Sequence, residues 1–488
     1  MRARRRASRG WRGDRDLPAD FVAAAQAWLG EEAAEFLDAL RAPPSLAVRP
    51  NAALGDTEAL ERVTGPAARA WPRVPWWPRA ALPPVSEAAA LAAGPLALLG
   101  AIYAQDAASL LAVAALDPRP GERILDLCAA PGGKSTAILD RLLGEGLLAS
   151  NDIDRRRARD LVRTLEQWGA RATIVSQCDP RQLAAAQEGF FDKVLVDAPC
   201  SGEAMFGRRE FAGANWSLEH VQGCARRQQH LLESARQLVR PGGVLVYTTC
   251  TFNPRENEEV ILAHLDRHGD DLLDDLSQLP GVSPGRADLL PASGRSAEVA
   301  RCARIWPHRA PGMGHFAARI IVGDTLRASA GQRRPASQSH SPCRTADDES
   351  AAVKHVVAGV APHLLNRDAA LLLRGANAYL APRGVPESLL NQAMVPGLHV
   401  AEKRGTTWRP AHALAKAIDR GTAARSVGLS DEAALAFLKG QPFPCIGGDG
   451  LTLAIWMGLP LGWGRQRQGV LASLLPSGLR LAGTATLA

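Results

Sequence analysis

Apolar and polar positions alternate in blocks along the middle of the chain. Glu122 to Cys128 is a short apolar run, and a helical pattern follows from about Ser135 to Leu143. Leu147 to Ser150, Ala172 to Ser176, Lys193 to Val196 and Gly243 to Tyr247 read as further buried strands. An Arg-rich helix after Asn151-Asp152 and a long helix from about Leu218 to Val239 lie between them. Strands alternating with helices predict an α/β domain with a parallel sheet covered on both faces. Arg304 to Pro307 and His315 to Val322 read as an antiparallel hairpin on its edge.

The flanks are patterned differently. Phe21, Ala24 and Trp28, then Phe36, Leu37 and Leu40, recur at helical spacing, and Pro43-Pro44 ends the pair. Ser45 to Leu54 reads as extended, and Gly94 to Ala115 as mostly helical. Trp71 to Pro84 holds three tryptophans and five prolines, whose rings either stack bases or pack a Pro-rich loop onto a core. Gly323 to Ser350, rich in Ser, Arg, Gln, Gly and Pro, reads as a linker. Pro442 to Leu487 shows short strands and many glycines, the pattern of a small β-rich domain. The expected order is a basic arm 1–16, an α-rich N-terminal module 17–115, a sheet domain 116–323, a linker 324–352, an intermediate module 353–425 and a β-rich domain 426–488.

Composition narrows this little. The 488 residues are 46% hydrophobic and 22% charged, as in ordinary globular proteins. No run of about 18 uncharged apolar residues predicts a membrane span. Net charge is +7, and seven arginines against two aspartates in the first sixteen residues supply much of it. That balance permits a polyanionic partner without requiring one. The eight cysteines form no C-x-x-C pair, so no metal site is expected, and reduced thiols in the cytoplasm are.

The candidate chemistry sits where strands end. Asp197-Ala198-Pro199-Cys200 and Thr248-Thr249-Cys250 each close a strand on a cysteine. One such cysteine is ordinarily a buried structural residue. Two of them downstream of a glycine loop point to covalent nucleophilic chemistry. That loop, Cys128-Ala129-Ala130-Pro131-Gly132-Gly133-Lys134, joins a strand to a helix, where glycines admit a ligand and the helix N-terminus favours negative charge. It matches neither the dinucleotide fingerprint nor the Walker loop. Asp152, after the second strand, is placed for two ribose hydroxyls, and Asp179, after the third, for an adenine amino group. Either aspartate also suits a helix N-cap. Arg155, Arg156, Arg157 and Arg159 form a helix face that is solvated or touches RNA.

These motifs, with Ser201-Gly202-Glu203, Thr251 and Glu256-Asn257-Glu258, make residues 17–322 resemble the Sun-type family of RNA cytosine-5 methyltransferases. The tail, with Gly397-Leu398, Ala413-Leu414 and Leu459-Pro460-Leu461-Gly462-Trp463-Gly464, is similar to the C-terminal extension of the bacterial RsmF branch. The resemblance implies a Rossmann-like S-adenosylmethionine-dependent domain and a PUA-like RNA-binding domain. It implies RNA as partner, with small-subunit 16S ribosomal RNA as substrate and transfer RNA as the alternative. It assigns 128–134, Asp152, Asp179 and Asp197 to the cofactor side. Cys250 becomes the nucleophile that adds to carbon 6, Asp197 the carboxyl beside ring N3, and Cys200 the group assisting release. Asp152 stands where glutamate is common, and Ala204 where many members have glycine. A DNA-type enzyme would use Cys200 as nucleophile instead, and a non-catalytic RNA-binding assembly factor would need neither thiol.

Overall fold

Five strands of the middle region pair in parallel, in the spatial order Thr173–Ser176, Leu147–Asn151, Arg123–Asp126, Phe191–Asp197, Val239–Thr249. In chain numbering of these five the order is 3-2-1-4-5, so the winding reverses between the first and the fourth. Helices Gly133–Leu142, Arg155–Trp168, Pro180–Ala186 and Leu218–Leu238 supply the crossovers. One face packs Val194, Val196, Leu232 and Leu238 together, and the other packs Ile124, Leu195, Val246, Ala137 and Ile138. Burying each such large aliphatic side chain contributes about 1.5–3 kcal/mol.

The computed structural model describes residues 17–55, 58–206, 216–292, 294–324, 347–365, 369–418 and 421–481. The basic arm 1–16 and most of the expected linker lie outside the described residues. The expected hairpin is present: Ala303–Ile305 pairs antiparallel with His315–Ile321, which pairs with Val239–Thr249.

Several local expectations change. The stretch read as helical from Gly94 to Ala115 contains the strand Ile102–Asp106 between helices Pro95–Leu98 and Leu111–Leu116. With Leu46–Pro50, Arg73–Val74 and Trp77–Ala81 it forms a four-stranded antiparallel sheet inside the N-terminal module. Its apolar residues pack on both sides, which hides the period-two pattern. Trp71, Trp76 and Trp77 are at most 8% exposed, and Trp76 Nε1 donates to the Ala107 carbonyl at 3.1 Å. These rings pack a core and offer no face to a base. The helix Asp347–Ala358 begins within the span read as linker, because Val353 and Val357 anchor it to the C-terminal core.

The C-terminal portion holds two sheets. Ala370–Arg374, Asn377–Ala381, Leu398–Arg404 and Thr407–Pro410 form one, and Ser426–Gly428, Gly450–Trp456, Leu459–Arg467, Val470–Ser473 and Phe443–Pro444 the other. Neither stands apart. Ala393–Val395 adds an antiparallel strand beside Thr173–Ser176 and so widens the central sheet. Leu60, Trp71, Leu96 and Leu99 of the N-terminal module share a core with Phe437, Leu438 and Trp456. Among the described residues no helix is long and apolar enough to cross a membrane.

Candidate active site

A sheet whose winding reverses leaves a crevice outside the carboxyl ends of the strands flanking the reversal. The cofactor and thiol candidates singled out from the sequence fall along that edge. The loop 128–134 follows Arg123–Asp126, Asp152 follows Leu147–Asn151, and Asp179 lies three residues beyond Thr173–Ser176. Asp197 ends its strand, Cys200 lies in the turn after it, and Cys250 directly follows Val239–Thr249.

On one side of the crevice is a cavity of about 730 Å³ lined by Leu127, Cys128, Asp152, Asp179, Pro199 and Gln228, among others. The glycine loop enters its lining at Cys128. Gly132 has φ +112°, and a Cβ there would come within 2.9 Å of Thr164 Cγ2, so only glycine lets the loop turn against the next helix. Arg49, reaching in from the N-terminal module, fixes the helix that follows. Its guanidinium donates to Gly133 O at 3.0 Å, to Asp140 Oδ2 at 2.6 Å and to Thr136 Oγ1, and lies 4.6 Å from the Trp168 ring centroid.

Asp152 is 3% exposed and accepts the backbone N–H groups of Ala130 at 3.3 Å and Asp154 at 3.0 Å. The helix cap here is Asp154, which accepts the Arg157 N–H at 2.8 Å, so Asp152 is not spent on capping. Asp179 does cap its helix, and its oxygens are further engaged by the Arg181 guanidinium at 2.8 and 3.1 Å. That pairing holds its carboxyl down at about 2. Asp179 therefore keeps a place on the cavity wall but no idle oxygen. Asp126, under the loop, accepts from Ser135 Oγ at 2.7 Å while its Oδ1 is buried without a partner. Burial pushes its carboxyl up to about 7. Of Asp152 and Asp179 on the cavity wall, Asp152 is the one whose carboxylate suits a ligand carrying hydroxyl donors.

On the other side Cys200 Sγ and Cys250 Sγ are 3.3 Å apart, both reduced. The hydrogen bond to Cys250, reinforced by burial and by the charge of Glu256, raises the Cys200 thiol well above its ordinary range. Either thiol can donate in that contact, and Cys200 is held in its S–H form. Cys128, raised chiefly by burial, is unsuited to attack. Lys134 Nζ lies 2.7 Å from Asp197 Oδ2, and Thr248 Oγ1 donates to Asp197 Oδ1 at 3.2 Å. Burial opposes both charges, but each partner more than offsets it for the other: Lys134 is raised and Asp197 lowered. Lys134, placed on the cofactor side from the sequence, is turned toward Asp197.

Both thiol loops hang from buried polar residues that sequence reasoning quoted as motif letters without a role. Glu256 accepts from Ser201 N at 2.9 Å, from Gln228 Nε2 at 2.8 Å and from Ser201 Oγ, and Ser201 Oγ meets Thr251 Oγ1 at 3.0 Å. Asn257 accepts from Thr249 Oγ1 at 2.6 Å and donates to Thr251 O at 3.0 Å, bracketing Cys250. Arg304 joins Glu258 through two hydrogen bonds of 2.7 and 2.6 Å and donates to Phe252 O at 2.9 Å. Glu203 accepts from Phe252 N at 2.9 Å. Arg49, Asp126 and Arg304 each stand in an otherwise apolar run, a sequence signal that the polar stretch Arg255 to Glu259 does not give. Among the described residues no group of His, Cys, Asp or Glu is arranged to hold a metal.

A 3-2-1-4-5 parallel sheet with an antiparallel strand beside the fifth, a glycine loop after the first strand and an acid after the second define the Rossmann-like methyltransferase fold class. Comparison with known proteins narrows it. The model of the family described as 16S rRNA methyltransferase RsmB/F matches residues 113–321, and that of the methyltransferase RsmF PUA domain matches 424–481. The ribosomal RNA small subunit methyltransferase F of Escherichia coli (strain SMS-3-5 / SECEC) is 30% identical over 387 residues, 78% of each chain. Its counterpart in Escherichia coli (strain SE11) is 33% identical over 322 residues, and there the alignment spans 64% of each chain. A methyltransferase homolog from Pyrococcus horikoshii is 28% identical with TM-score 0.54, covering 62% of this chain and 94% of that one. NSun6 from the same organism, solved with SFG, is 21% identical with TM-score 0.52, covering 63% and 98%, and shares the fold. The chain belongs to the ribosomal RNA small subunit methyltransferase F family.

Proposed function

We propose that this protein transfers a methyl group from S-adenosylmethionine to carbon 5 of a cytosine in small-subunit ribosomal RNA, through a covalent adduct on Cys250. The observation that carries this reading is the 3.3 Å approach of the two thiols beside the Lys134–Asp197 pair, next to an acid-lined cavity.

The cavity residues fit the donor. Asp152 suits the ribose hydroxyls, the backbone of Gly132-Gly133 the close approach, and the wall at Asp179 the adenine. When bound, S-adenosylmethionine supplies an electrophilic methyl group. The target base must leave its stack to be reached. Addition of the Cys250 sulfur to carbon 6 forms a C–S bond and moves an electron pair toward ring N3. Asp197 meets that side of the ring, and the Lys134 ammonium paired with it supplies the positive charge and the proton. Carbon 5, now nucleophilic, takes the methyl group. Loss of the carbon 5 proton to solvent then reforms the double bond and breaks the C–S bond, while N3 returns its proton to Lys134. Cys200, held as S–H with its sulfur 3.3 Å from that of Cys250, protonates the departing sulfur.

RNA is held partly by the tail. A groove of about 860 Å³ between the two C-terminal sheets is lined by Arg404, Arg409, Arg465 and Arg467, all exposed, with Glu402 as its acid. Exposed arginines in a row match a phosphate backbone.

The test uses wild type, Cys200→Ala and Cys250→Ala with labelled S-adenosylmethionine and bulk cellular RNA. Cys250→Ala is expected to abolish transfer, Cys200→Ala to accumulate a denaturant-resistant RNA–protein adduct, and the label to enter small-subunit RNA. A dead Cys200→Ala beside an active Cys250→Ala reverses the two roles, and label confined to transfer RNA changes the substrate.

A further inference from the structure

His315 opens the strand His315–Ile321, which is paired on both sides, and is 3% exposed. Neither Nδ1 nor Nε2 has a well-formed hydrogen bond, the adjoining Gly314 backbone being the polar group that weakly touches the ring. Among the described residues it is the histidine with both ring nitrogens buried and idle. Buried polar groups are paired in the great majority of cases, so a doubly idle imidazole needs a reason.

Strand register shows where it sits. Asp197 is beside Thr248 in the parallel pair, and Thr248 is beside Ala317 in the antiparallel one. Side chains two residues apart share a face of a sheet. Cys250 lies two past Thr248 and His315 two before Ala317, so Asp197, Cys250 and His315 belong to one face. The last pair, Phe316 with Thr249, sets His315 opposite Cys250 when carried one residue further. Lys134 and Asp197 are the two charges that act on the ring. Burial first, and then Lys134, bring it down to about 3, so at neutral pH it is uncharged, with one N–H donor and one acceptor. Such a weak base is unsuited to removing the carbon 5 proton. It is suited to hydrogen bonding.

We propose that His315 is a base-contacting residue of the target pocket, its two ring nitrogens hydrogen-bonding the polar edge of the flipped cytosine while Cys250 attacks. This rests on the reading of Cys250 and Asp197 given above. A cytosine edge offers an amino donor and ring and carbonyl acceptors, the complement of a neutral imidazole next to a carboxylate. The idle nitrogens of the free protein are then the vacant half of that recognition. A pocket built to hydrogen-bond its substrate discriminates more sharply than an apolar one of the same shape.

The experiment compares wild type, His315→Phe and His315→Asn on a transcript of small-subunit ribosomal RNA, and on the same transcript carrying 5-fluorocytidine to trap the adduct. Methyl transfer is resolved into kcat and KM for RNA and for S-adenosylmethionine, and thermal midpoints are recorded. His315→Phe, which keeps a ring but no polar atom, is expected to lower kcat/KM for RNA by about tenfold or more and to slow trapping in step. KM for S-adenosylmethionine and the thermal midpoint should stay at wild-type values. His315→Asn, which keeps a donor and an acceptor, should fall between the two. The proposal is overturned if His315→Phe stays within twofold of wild type on RNA. It is equally overturned if both variants lose donor affinity and thermal stability together with the RNA effect, the signature of packing alone. If wild type neither transfers methyl nor forms the adduct, the Cys250 reading itself fails and the assignment of His315 falls with it.

Discussion

Around Cys200 and Cys250 the charged groups point inward, whereas at Arg404, Arg409, Arg465 and Arg467 they point into solvent. Glu256 and Glu258 are 0% exposed and Arg304 is 2% exposed, each tied to fixed partners that leave the thiol loops no room to shift. The groove arginines are exposed, and apart from Arg404, which meets Glu402 at 3.0 Å, no acid among the described residues is paired with them. The first arrangement defines positions to a fraction of an ångström, which covalent chemistry demands. The second defines a field, which a flexible polyanion can use in many registers. Loss of one member should therefore be severe in the first region and graded in the second.

The largest effect is expected from Arg304→Met, which leaves Glu258 charged and buried without its partner. A loss of about 3–5 kcal/mol should appear in a denaturant titration. Arg465→Ala should move the same curve by less than about 0.5 kcal/mol. A parity of the two would erase the contrast. Next is Asn257→Ala, which strips the Thr249 hydroxyl and the Thr251 carbonyl of their partner. It should cost about 1–3 kcal/mol and lower kcat for methyl transfer while leaving donor binding unchanged, as stopped-flow and calorimetry can separate. The double change Arg465→Ala, Arg467→Ala should leave kcat alone and weaken RNA binding. The slope of log K against log salt should become shallower by about two units, one for each lost phosphate contact.

A separate contrast is in stability against pH. Burial raises Asp126 from 3.8 and Glu203 from 4.5, each to about 7. Between those limits the folded chain holds protons that the unfolded chain has released, so stability falls as pH climbs from about 4 to about 7 and is lowest above it. Asp126→Asn should flatten part of that slope in thermal scans at pH 5 and pH 8.

Much of the catalytic region was legible in the sequence for a local reason. Glu122 to Cys128, Leu147 to Ser150 and Gly243 to Tyr247 are continuous apolar runs because parallel strands are buried on both faces. The residues that end them, Asp152, Asp197 and Cys250, must then lie at one edge. The strand Ile102–Asp106 was not legible, since a small antiparallel sheet buried on both sides loses its alternation. The strand Ala393–Val395 was hidden for a different reason. Its partner, Thr173–Ser176, lies more than two hundred residues earlier, and nothing local to either names the other.

The sequence by itself determined the order of strands and helices, the glycine loop, and which thiols and acids reach the carboxyl edge. Those follow from periodicity and turn chemistry, which act over a few residues. Only the tertiary structure decided that Cys200 and Cys250 meet, that Lys134 serves Asp197, that Asp179 is already engaged by Arg181, and that His315 is left with two idle nitrogens. It also decided that the three tryptophans of 71–77 are core and that the N-terminal and C-terminal modules share one interior. These depend on distance and desolvation between residues far apart in the chain, which exist only once the sheet has closed.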